Sequence, residues 1–285
     1  MPQFSANLNW LYTELPFLDR FAAAARDGFK AVELLSPYVV PAAKLKILLS
    51  INGLQLVLIN TPPGGTDAAS IEAAWASKNN WGMACQPGRE AEFNAGLILA
   101  LDYAKQLDCP RIHIMAGVQP EGVTHQAAHA AYVNNLRYAA VQAAAAGVDA
   151  LIEPINTRDI PNYFLNRQDQ AHAILDEIGA ANLKVQMDLY HCQIMEGDLA
   201  TKLRRYMPTG CIGHIQIAGV PGRNEPDLGE VNYRYLLALL DELGYSGWVG
   251  CEYRPVRGAL AGGTSAGLQG ILTIVNDTSD KPCHF

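Results

Sequence analysis

The sequence predicts an α/β fold, a single-domain (β/α)8 TIM barrel. Short apolar runs rich in β-branched residues recur along the chain, and each is followed by a longer stretch with helical periodicity. Runs that are apolar throughout are typical of parallel strands buried on both faces. Eight successive strand–helix units close most simply into a barrel. The alternative is a doubly wound open sheet, but no G-x-G-x-x-G follows the first strand to mark a dinucleotide fold.

The eight units are assigned in chain order. The predicted strands cover residues 4–8, 31–35, 55–60, 111–116, 150–154, 183–189, 213–218 and 248–253. The predicted helices cover residues 16–27, 42–52, 89–107, 124–146, 166–178, 199–206 and 231–243. We expect the barrel to occupy residues 1–257, because no linker divides them. Residues 258–285 form a Gly- and Ala-rich tail that is compatible with a short last helix over 266–275, and we expect its last ten residues to be loose.

Composition excludes several classes of protein. The chain has 285 residues, of which 49% are hydrophobic and 17% charged, as in an ordinary globular protein. Its net charge of −7 repels phosphate backbones, so we expect no nucleic-acid partner. No apolar run approaches the ~18 residues of a membrane span, and the N-terminus does not resemble a signal peptide. The six cysteines form no CxxC pair, which indicates free thiols in a reducing cytoplasm.

Acidic residues interrupt the apolar runs near the ends of three predicted strands. They are Glu153, Asp188 and Glu252, while His214 and Gln216 alternate on the seventh strand and so face the same way. The carboxyl ends of barrel strands form the active site. One such residue could be explained as a helix cap or as the partner of a buried Arg. Three carboxylates crowded into one pocket repel each other strongly. A bound divalent cation commonly offsets that repulsion.

An oxygen-only set of three carboxylates and one amide suits Mg²⁺ or Mn²⁺ better than zinc. If His214 replaces or joins Gln216 as a ligand, the choice moves toward Mn²⁺, Co²⁺ or Zn²⁺.

Other polar residues near the strand ends have competing interpretations. His191 follows the sixth strand and is either a surface histidine or a functional residue, which contacts a substrate hydroxyl or supports a residue that touches the ligand. Arg223 lies in a loop over the pocket, either solvated or clamping an anionic substrate or a developing oxyanion. Arg89 is favoured as a helix-start residue, and His113 as a core histidine. Glu33, on the second strand, faces the pocket or pairs with a buried base.

Longer stretches carry a family resemblance, from about residue 4 to residue 255. They include FSANLNWLYTELPFLDRF, ACQPGREAEF, LIEPIN, DIPNYFL, NLKVQMDLYHCQIMEGDL, GHIQIAGVPGRNEP, GEVNYRYL and GYSGWVGCEYRP. In these stretches the chain resembles the hydroxypyruvate isomerase family, within the xylose-isomerase-like TIM barrels. The LIEPIN, YHCQIMEG, HIQIA and GCEY segments together make the resemblance specific. The tail after Arg257 departs from it, since the closing helix of the family usually carries aromatic residues.

The resemblance implies an isomerase that interconverts hydroxypyruvate and tartronate semialdehyde with a divalent metal, by proton transfer through an enediolate. Glu153 and Glu252 would be the acid/base pair and also metal ligands, and Asp188 and Gln216 would complete the metal shell. By analogy with the wider superfamily, His191 and Arg223 would contact the substrate, and we expect His214 to be a further substrate-binding residue. Related sugar epimerases carry a histidine where Gln216 stands. This difference leaves open which metal binds and how tightly it binds.

Several functions compete with this one. A 2-oxo-tetronate isomerase or a keto-sugar 3-epimerase would use the same scaffold, and the first shares nearly all of these motifs. A non-catalytic sugar-acid binding protein would bind the ligand without turnover. Endonuclease IV-like proteins share the barrel but need many histidines and a basic face, which this acidic chain lacks. A small-molecule substrate is the expected partner, and barrels of this kind often form homo-oligomers.

Overall fold

Eight parallel strands close into one barrel. The computed structural model describes residues 3–77, 81–257 and 262–276. Each strand pairs with the next in chain order, and the last pairs with the first. The strands are β1 (Gln3–Asn7), β2 (Ala31–Leu34), β3 (Gln55–Asn60), β4 (Arg111–His113), β5 (Asp149–Ile152), β6 (Leu183–Asp188), β7 (Ile212–Ile217) and β8 (Trp248–Cys251). The predicted fold class is therefore confirmed, and the open sheet is excluded.

The helices surround this barrel. They are α1 (Arg20–Arg26), α2 (Ala42–Ile51), α3 (Ala68–Ser77), α4 (Glu90–Gln106), α5 (His125–Ala146), α6 (Gln168–Ile178), α7 (Leu189–Met195), α8 (Leu199–Tyr206), α9 (Tyr233–Glu242), α10 (Gly263–Gly267) and α11 (Gln269–Asn276). Short 3₁₀ turns lie at Phe17–Asp19 and Met207–Thr209. Helices α3 and α7 are not among the predicted helices. The single tail helix predicted over 266–275 is replaced in the structure by two, α10 and α11.

Local signals explain where the longest helix begins and ends. The Thr124 side chain accepts a hydrogen bond from the backbone N–H of Ala127, at the first turn of α5. Gly147 ends the same helix in the left-handed conformation, at φ +69°. Arg89 precedes α4 directly, where its guanidinium contacts Gln86 and Glu92. This agrees with the helix-start role predicted for Arg89.

The inner and outer faces of the barrel differ in polarity. On β7, Ile215 and Ile217 belong to the apolar core, whereas His214 and Gln216 alternate with them and are fully buried. The register pairs Gln186 of β6 with His214. Since alternate residues of a strand face opposite sides, the interior of the barrel is polar here, while the outer face packs against the helices.

The C-terminal helices pack on the barrel. Leu268 and Ile271 belong to the same apolar core as the strands. The Thr264 hydroxyl accepts a hydrogen bond from the backbone N–H of Tyr12, and the backbone N–H of Thr264 donates to Glu14. Residues 277–285, which belong to the segment expected to be loose, lie outside the described residues.

Two further features concern membrane crossing and the cysteines of the described residues. Within the described ranges, no helix combines the length and the apolarity that crossing a membrane requires. Cys85, Cys109, Cys192, Cys211 and Cys251 are free thiols, and burial raises the pKa of the Cys85 and Cys109 thiols to about 12.

Candidate active site

A small cavity of about 60 Å³ lies at the carboxyl ends of the strands. One part of its wall is ionisable and contains Glu153, Glu252, His113, His191 and Arg223. Another part is aromatic, with Trp10, Trp75 and Trp81. The barrel thus brings four of the predicted site residues to one cavity: Glu153, His191, Arg223 and Glu252.

Glu153 and Asp188 each present a carboxylate oxygen without a partner. Glu153 follows β5 directly, and Asp188 is the last residue of β6. Asp188 also caps α7, since its Oδ1 accepts the backbone N–H of Tyr190 at 2.7 Å. Asp188 Oδ2 and Glu153 Oε1 are both buried without a hydrogen-bond partner. Such atoms are costly to bury, and these two oxygens are available to bind a ligand.

Crowding and burial change the acidity of these carboxyls. Burial raises the pKa of Glu153 well above its ordinary value, and the nearby charges of Glu252 and Asp188 raise it further. Burial also raises the pKa of Asp188 to about 6 and that of Glu252 to about 8, although Arg223 opposes both shifts. The cluster therefore carries more carboxyl groups than Arg223 alone can neutralise.

Arg223 is the cation of this cluster. Its Nη2 lies 2.9 Å from Glu252 Oε2 and 3.7 Å from Asp188 Oδ2. The guanidinium also lies over the rings of Trp10 and Tyr190, at 4.4 and 5.0 Å from their centroids. These ring contacts and ion pairs hold the guanidinium in the wall of the cavity.

His191 faces both unpartnered carboxylates. Its Nε2 lies 3.5 Å from Asp188 Oδ2 and 3.8 Å from Glu153 Oε1. Its Nδ1 lies 2.6 Å from the Asn156 side-chain amide nitrogen. Burial, followed by the charge of Arg223, lowers the pKa of His191 well below its ordinary value. His113, which also lines the cavity, lies with its Nδ1 3.4 Å from Glu153 Oε2, and burial lowers its pKa to about 3.

Gln216 and His214 are not among the residues that line the cavity. His214 Nε2 lies 2.8 Å from Glu33 Oε1, and Gln216 donates from Nε2 to Glu33 Oε2 at 2.8 Å. Gln216 Oε1 accepts from Gln186 at 2.7 Å. Glu33 thus pairs with a buried base, which is one of the two interpretations of its position. Burial raises the pKa of Glu33, but the charge of His214 and the hydrogen bonds that Glu33 accepts outweigh burial, so the pKa lies below its ordinary value.

Asn7 joins this interior network to the cavity. Its side-chain amide donates to Glu33 Oε2 at 3.4 Å and to Glu252 Oε1 at 3.3 Å. Glu252 is therefore held from one side by Asn7 and from the other by Arg223.

The donors present fit a divalent cation. The ligand atoms of Glu153, Asp188 and His191 all lie within 4.8 Å of one another. Two of those atoms are the unpartnered carboxylate oxygens, which are hard donors of the kind that Mg²⁺ and Mn²⁺ prefer.

Some residues of the site were missed from the sequence. Asn7, Trp10 and Asn156 all follow or end strands, so the rule that strand ends form the site could have identified them. Their uncharged side chains do not stand out from the neighbouring residues in the sequence, whereas an acid within an apolar run does stand out.

Comparisons with known proteins give the same fold and specify the family. Residues 21–271 match the family described as xylose isomerase-like TIM barrel. The 2-oxo-tetronate isomerase of Cupriavidus necator is 55% identical over 268 residues, covering 94% of this chain and 96% of the relative. The hydroxypyruvate isomerase of Escherichia coli is 42% identical, covering 92% of this chain and 97% of the relative.

A solved structure extends the match to three dimensions. The crystal structure of a protein named AP endonuclease, family 2, from Brucella melitensis superposes with a TM-score of 0.87. It is 42% identical, and the match covers 96% of this chain and 99% of that one. The chain therefore belongs to the xylose isomerase-like TIM barrel family, and it is an isomerase.

Proposed function

We propose that this isomerase exchanges the carbonyl and hydroxyl groups between C2 and C3 of a short 3-hydroxy-2-oxo acid. The observation that carries the proposal is the pair of buried glutamates, Glu153 and Glu252, that line one small cavity together with Arg223, which is ion-paired with Glu252. An aldose–ketose exchange needs a proton removed from one carbon and returned to its neighbour. Two carboxyl groups on one cavity can supply that transfer.

Each side chain has a distinct part in the proposed reaction. Glu153 and Glu252 move the proton between the two carbons through an enediolate. Arg223 attracts the substrate carboxylate or the developing oxyanion, because it is the guanidinium that lines the cavity. Glu153 and Asp188 would hold a divalent cation, Mg²⁺ or Mn²⁺, which would supply Lewis-acid stabilisation of negative charge on the substrate oxygens. Glu252 and Gln216 are the further ligands implied by the family resemblance.

Two substrates of this class are candidates. Hydroxypyruvate has three carbons and gives tartronate semialdehyde, and the resemblance in LIEPIN and DLYHCQIMEG favours it. The four-carbon acid 2-oxo-tetronate is favoured by the relative that is 55% identical and carries that substrate in its name. The relatives named for hydroxypyruvate reach 46% identity. Both acids undergo the same exchange, so the proposal is one reaction class with two chain lengths.

A substrate panel tests this proposal. The purified protein is stripped with EDTA and incubated with hydroxypyruvate, 2-oxo-tetronate or D-fructose. Mg²⁺ or Mn²⁺ is then restored, and products are followed by NMR. We expect metal-dependent isomerisation of at least one of the two acids and little turnover of the six-carbon ketose. The ratio of kcat/KM for the two acids then assigns the chain length.

Two other classes of function make different predictions. A binding protein would show a raised Tm with an acid and no product with either metal, and that result would contradict the proposal. A nucleic-acid enzyme, such as the endonuclease for which the Brucella protein is named, would need a surface that attracts phosphates, and the net charge of −7 argues against it.

A further inference from the structure

We propose that Asn156 is a positioning residue that holds His191 with its hydrogen on Nε2, so that this N–H faces the reacting oxygens of the substrate. The inference rests on the proposed function for the reaction that it serves. The arrangement of hydrogen bonds stands independently of which acid is the substrate.

The orientation of the Asn156 amide is determined by two contacts with Asp159. Asn156 Oδ1 accepts from the backbone N–H of Asp159 at 2.7 Å, and a backbone N–H can only donate. Asn156 Nδ2 lies 3.1 Å from the Asp159 carboxylate Oδ2, which accepts. The nitrogen of the amide must therefore be the atom that faces His191, at 2.6 Å from Nδ1.

A second donor reaches the same ring nitrogen. The backbone N–H of Asn156 lies 3.3 Å from His191 Nδ1. Two donors from one residue thus point at Nδ1, which must accept and cannot carry a hydrogen. In a neutral imidazole the hydrogen is then on Nε2. Both Asn156 and His191 are buried, at 0% and 2% exposure, so water does not compete for these bonds.

The free edge of the ring faces the site. His191 Nε2 lies 3.5 Å from Asp188 Oδ2 and 3.8 Å from Glu153 Oε1, the two oxygens that have no hydrogen-bond partner. These distances are longer than a hydrogen bond, which leaves His191 Nε2–H available to donate to a substrate oxygen. In this tautomer Nε2 has no lone pair to give a cation. The geometry therefore assigns His191 to the substrate and leaves the carboxylates to the cation.

Asp159 links Asn156 to Tyr190 and, through the Tyr190 ring, to Arg223. Its Oδ2 also accepts from the Tyr190 hydroxyl at 2.9 Å, and the same ring lies against Arg223. Asn156 is consequently connected to both the histidine and the guanidinium of the cavity. A small shift of Asn156 would move both donors, which is how a residue that does not line the cavity can affect turnover.

The test reads the tautomer directly. Protein labelled with ¹⁵N in histidine is examined by long-range ¹H–¹⁵N NMR without metal and with Mg²⁺, and His191 is assigned from the signals that H191Q removes. We expect a pyridine-like Nδ1 and a pyrrole-like Nε2 in the wild type under both conditions. In N156A, which keeps only the backbone N–H as a donor to Nδ1, we expect a mixture of tautomers. In N156D, where the side chain offers only acceptors, we expect that mixture to move toward a hydrogen on Nδ1.

Kinetics of the same variants give the functional half of the test. We expect N156A to lower kcat by roughly 10–100-fold with a much smaller change in KM. N182A is the matched control, because Asn182 donates from its side chain to the Ala140 carbonyl at 2.9 Å, away from the cavity. It should change neither the His191 spectrum nor kcat. Melting curves of both variants show whether each is folded, and N156D provides the second variant if N156A is not.

Clear results would overturn the proposal. One is a hydrogen on Nδ1 of His191 in the wild type, with or without Mg²⁺. The other is a folded N156A that keeps both the wild-type tautomer and the wild-type kcat. If the wild type turns over neither acid, the proposed function fails. The spectra still decide whether Asn156 sets the tautomer.

Discussion

Each acid of the cavity has a different set of neighbours, and these neighbours give each acid a different role. Glu252 is ion-paired with Arg223 and held by Asn7, whereas Glu153 keeps one oxygen without a partner. Asp188 uses one oxygen to cap α7, and its other oxygen accepts no hydrogen bond. These oxygens of Glu153 and Asp188 are costly to bury, because neither accepts a hydrogen bond from the described part of the chain.

The substitution Glu153→Gln separates activity from stability. We expect kcat to fall by about 10²–10⁴-fold, since the variant lacks one of the two groups that move the proton. The Tm should not fall, because an amide of the same size replaces a carboxyl that is costly to bury. Kinetics and calorimetry of E153Q measure the two effects, with E177Q on the surface as the control. A variant that keeps wild-type kcat would contradict the role given to Glu153.

Gly250 of β8 is required by the interior network. A Cβ at this position would overlap Glu33 Oε1 and lie 2.8 Å from Gln216 Cγ. Because Glu33 is held by several hydrogen bonds, it cannot move away without breaking them. We expect G250A to lose about 1–3 kcal/mol of unfolding free energy and to lower turnover through the Asn7 link to Glu252.

The control for this prediction is G96A. An added Cβ at Gly96 in α4 would meet Pro62 and Met83 at 3.5–3.6 Å, which is ordinary contact. Urea unfolding of the two variants should differ by the predicted amount. Equal stability of G250A and the wild type would show that Glu33 relocates freely.

At the level of elements, the strands were predicted more accurately than the helices. Strand ends fell within a few residues of the observed ones because β-branched apolar runs end where the chain leaves the barrel. Helix α7 was missed because it begins at Leu189, immediately after the last residue of β6, with no turn residue between them. Helix α3 was missed because it follows a loop rich in Pro and Gly, which obscured its short helical pattern.

The same distinction applies to the site. The acids at the ends of β5, β6 and β8 were found because a charge within an apolar run is conspicuous. The pairing of His214 and Gln216 with Glu33 was not determined, because it depends on which residues face each other across the closed barrel, a contact between β2 and β7. Sequence periodicity gives the face of a strand but not its partner on the far side.

Helices α6 and α8 are joined by a ring stack that should respond to pH. His172 stacks on Tyr206 with ring centroids 3.6 Å apart, and burial lowers the pKa of His172 to about 4. The charged groups that act on His172 are Asp176, Arg205, Asp169 and Lys202. The unfolded chain has a histidine of ordinary pKa, so it binds more protons than the folded chain between about pH 6.5 and about pH 4. Stability should therefore be lost as the pH falls through that window.

His172→Phe tests this dependence while keeping a stacked ring. We expect the unfolding free energy of the wild type to fall, relative to H172F, by up to about 1.4 kcal/mol per pH unit below about pH 6.5. Urea titrations at about pH 7 and about pH 5, on either side of the ordinary histidine pKa, measure it. The control is H129Q, because His129 is exposed and pairs only with Glu177 among the described residues. Parallel pH curves for the wild type and H172F would contradict the prediction.

On the scale of the whole molecule, the closed barrel concentrates negative charge where the strands end. Apolar strand residues pack against the helices. Among the described residues, the interior of the barrel holds a buried hydrogen-bond network that comprises Ser5, Asn7, Glu33, Gln186, His214 and Gln216. The barrel therefore supplies stability through its outer face and chemistry through its carboxyl-end rim. The central claim is that the acids on this rim move a proton between neighbouring carbons of a short 2-oxo acid.

The fate of hydrogen during turnover tests that claim most directly. The protein, with Mg²⁺ or Mn²⁺ restored, converts hydroxypyruvate in D₂O, and NMR measures deuterium at C2 of the product; 2-oxo-tetronate is run in parallel. Proton transfer through Glu153 and Glu252 predicts deuterium at C2, because a carboxyl group exchanges its proton with the solvent. Product that carries only hydrogen from the substrate at C2 would indicate a hydride shift and would contradict the account.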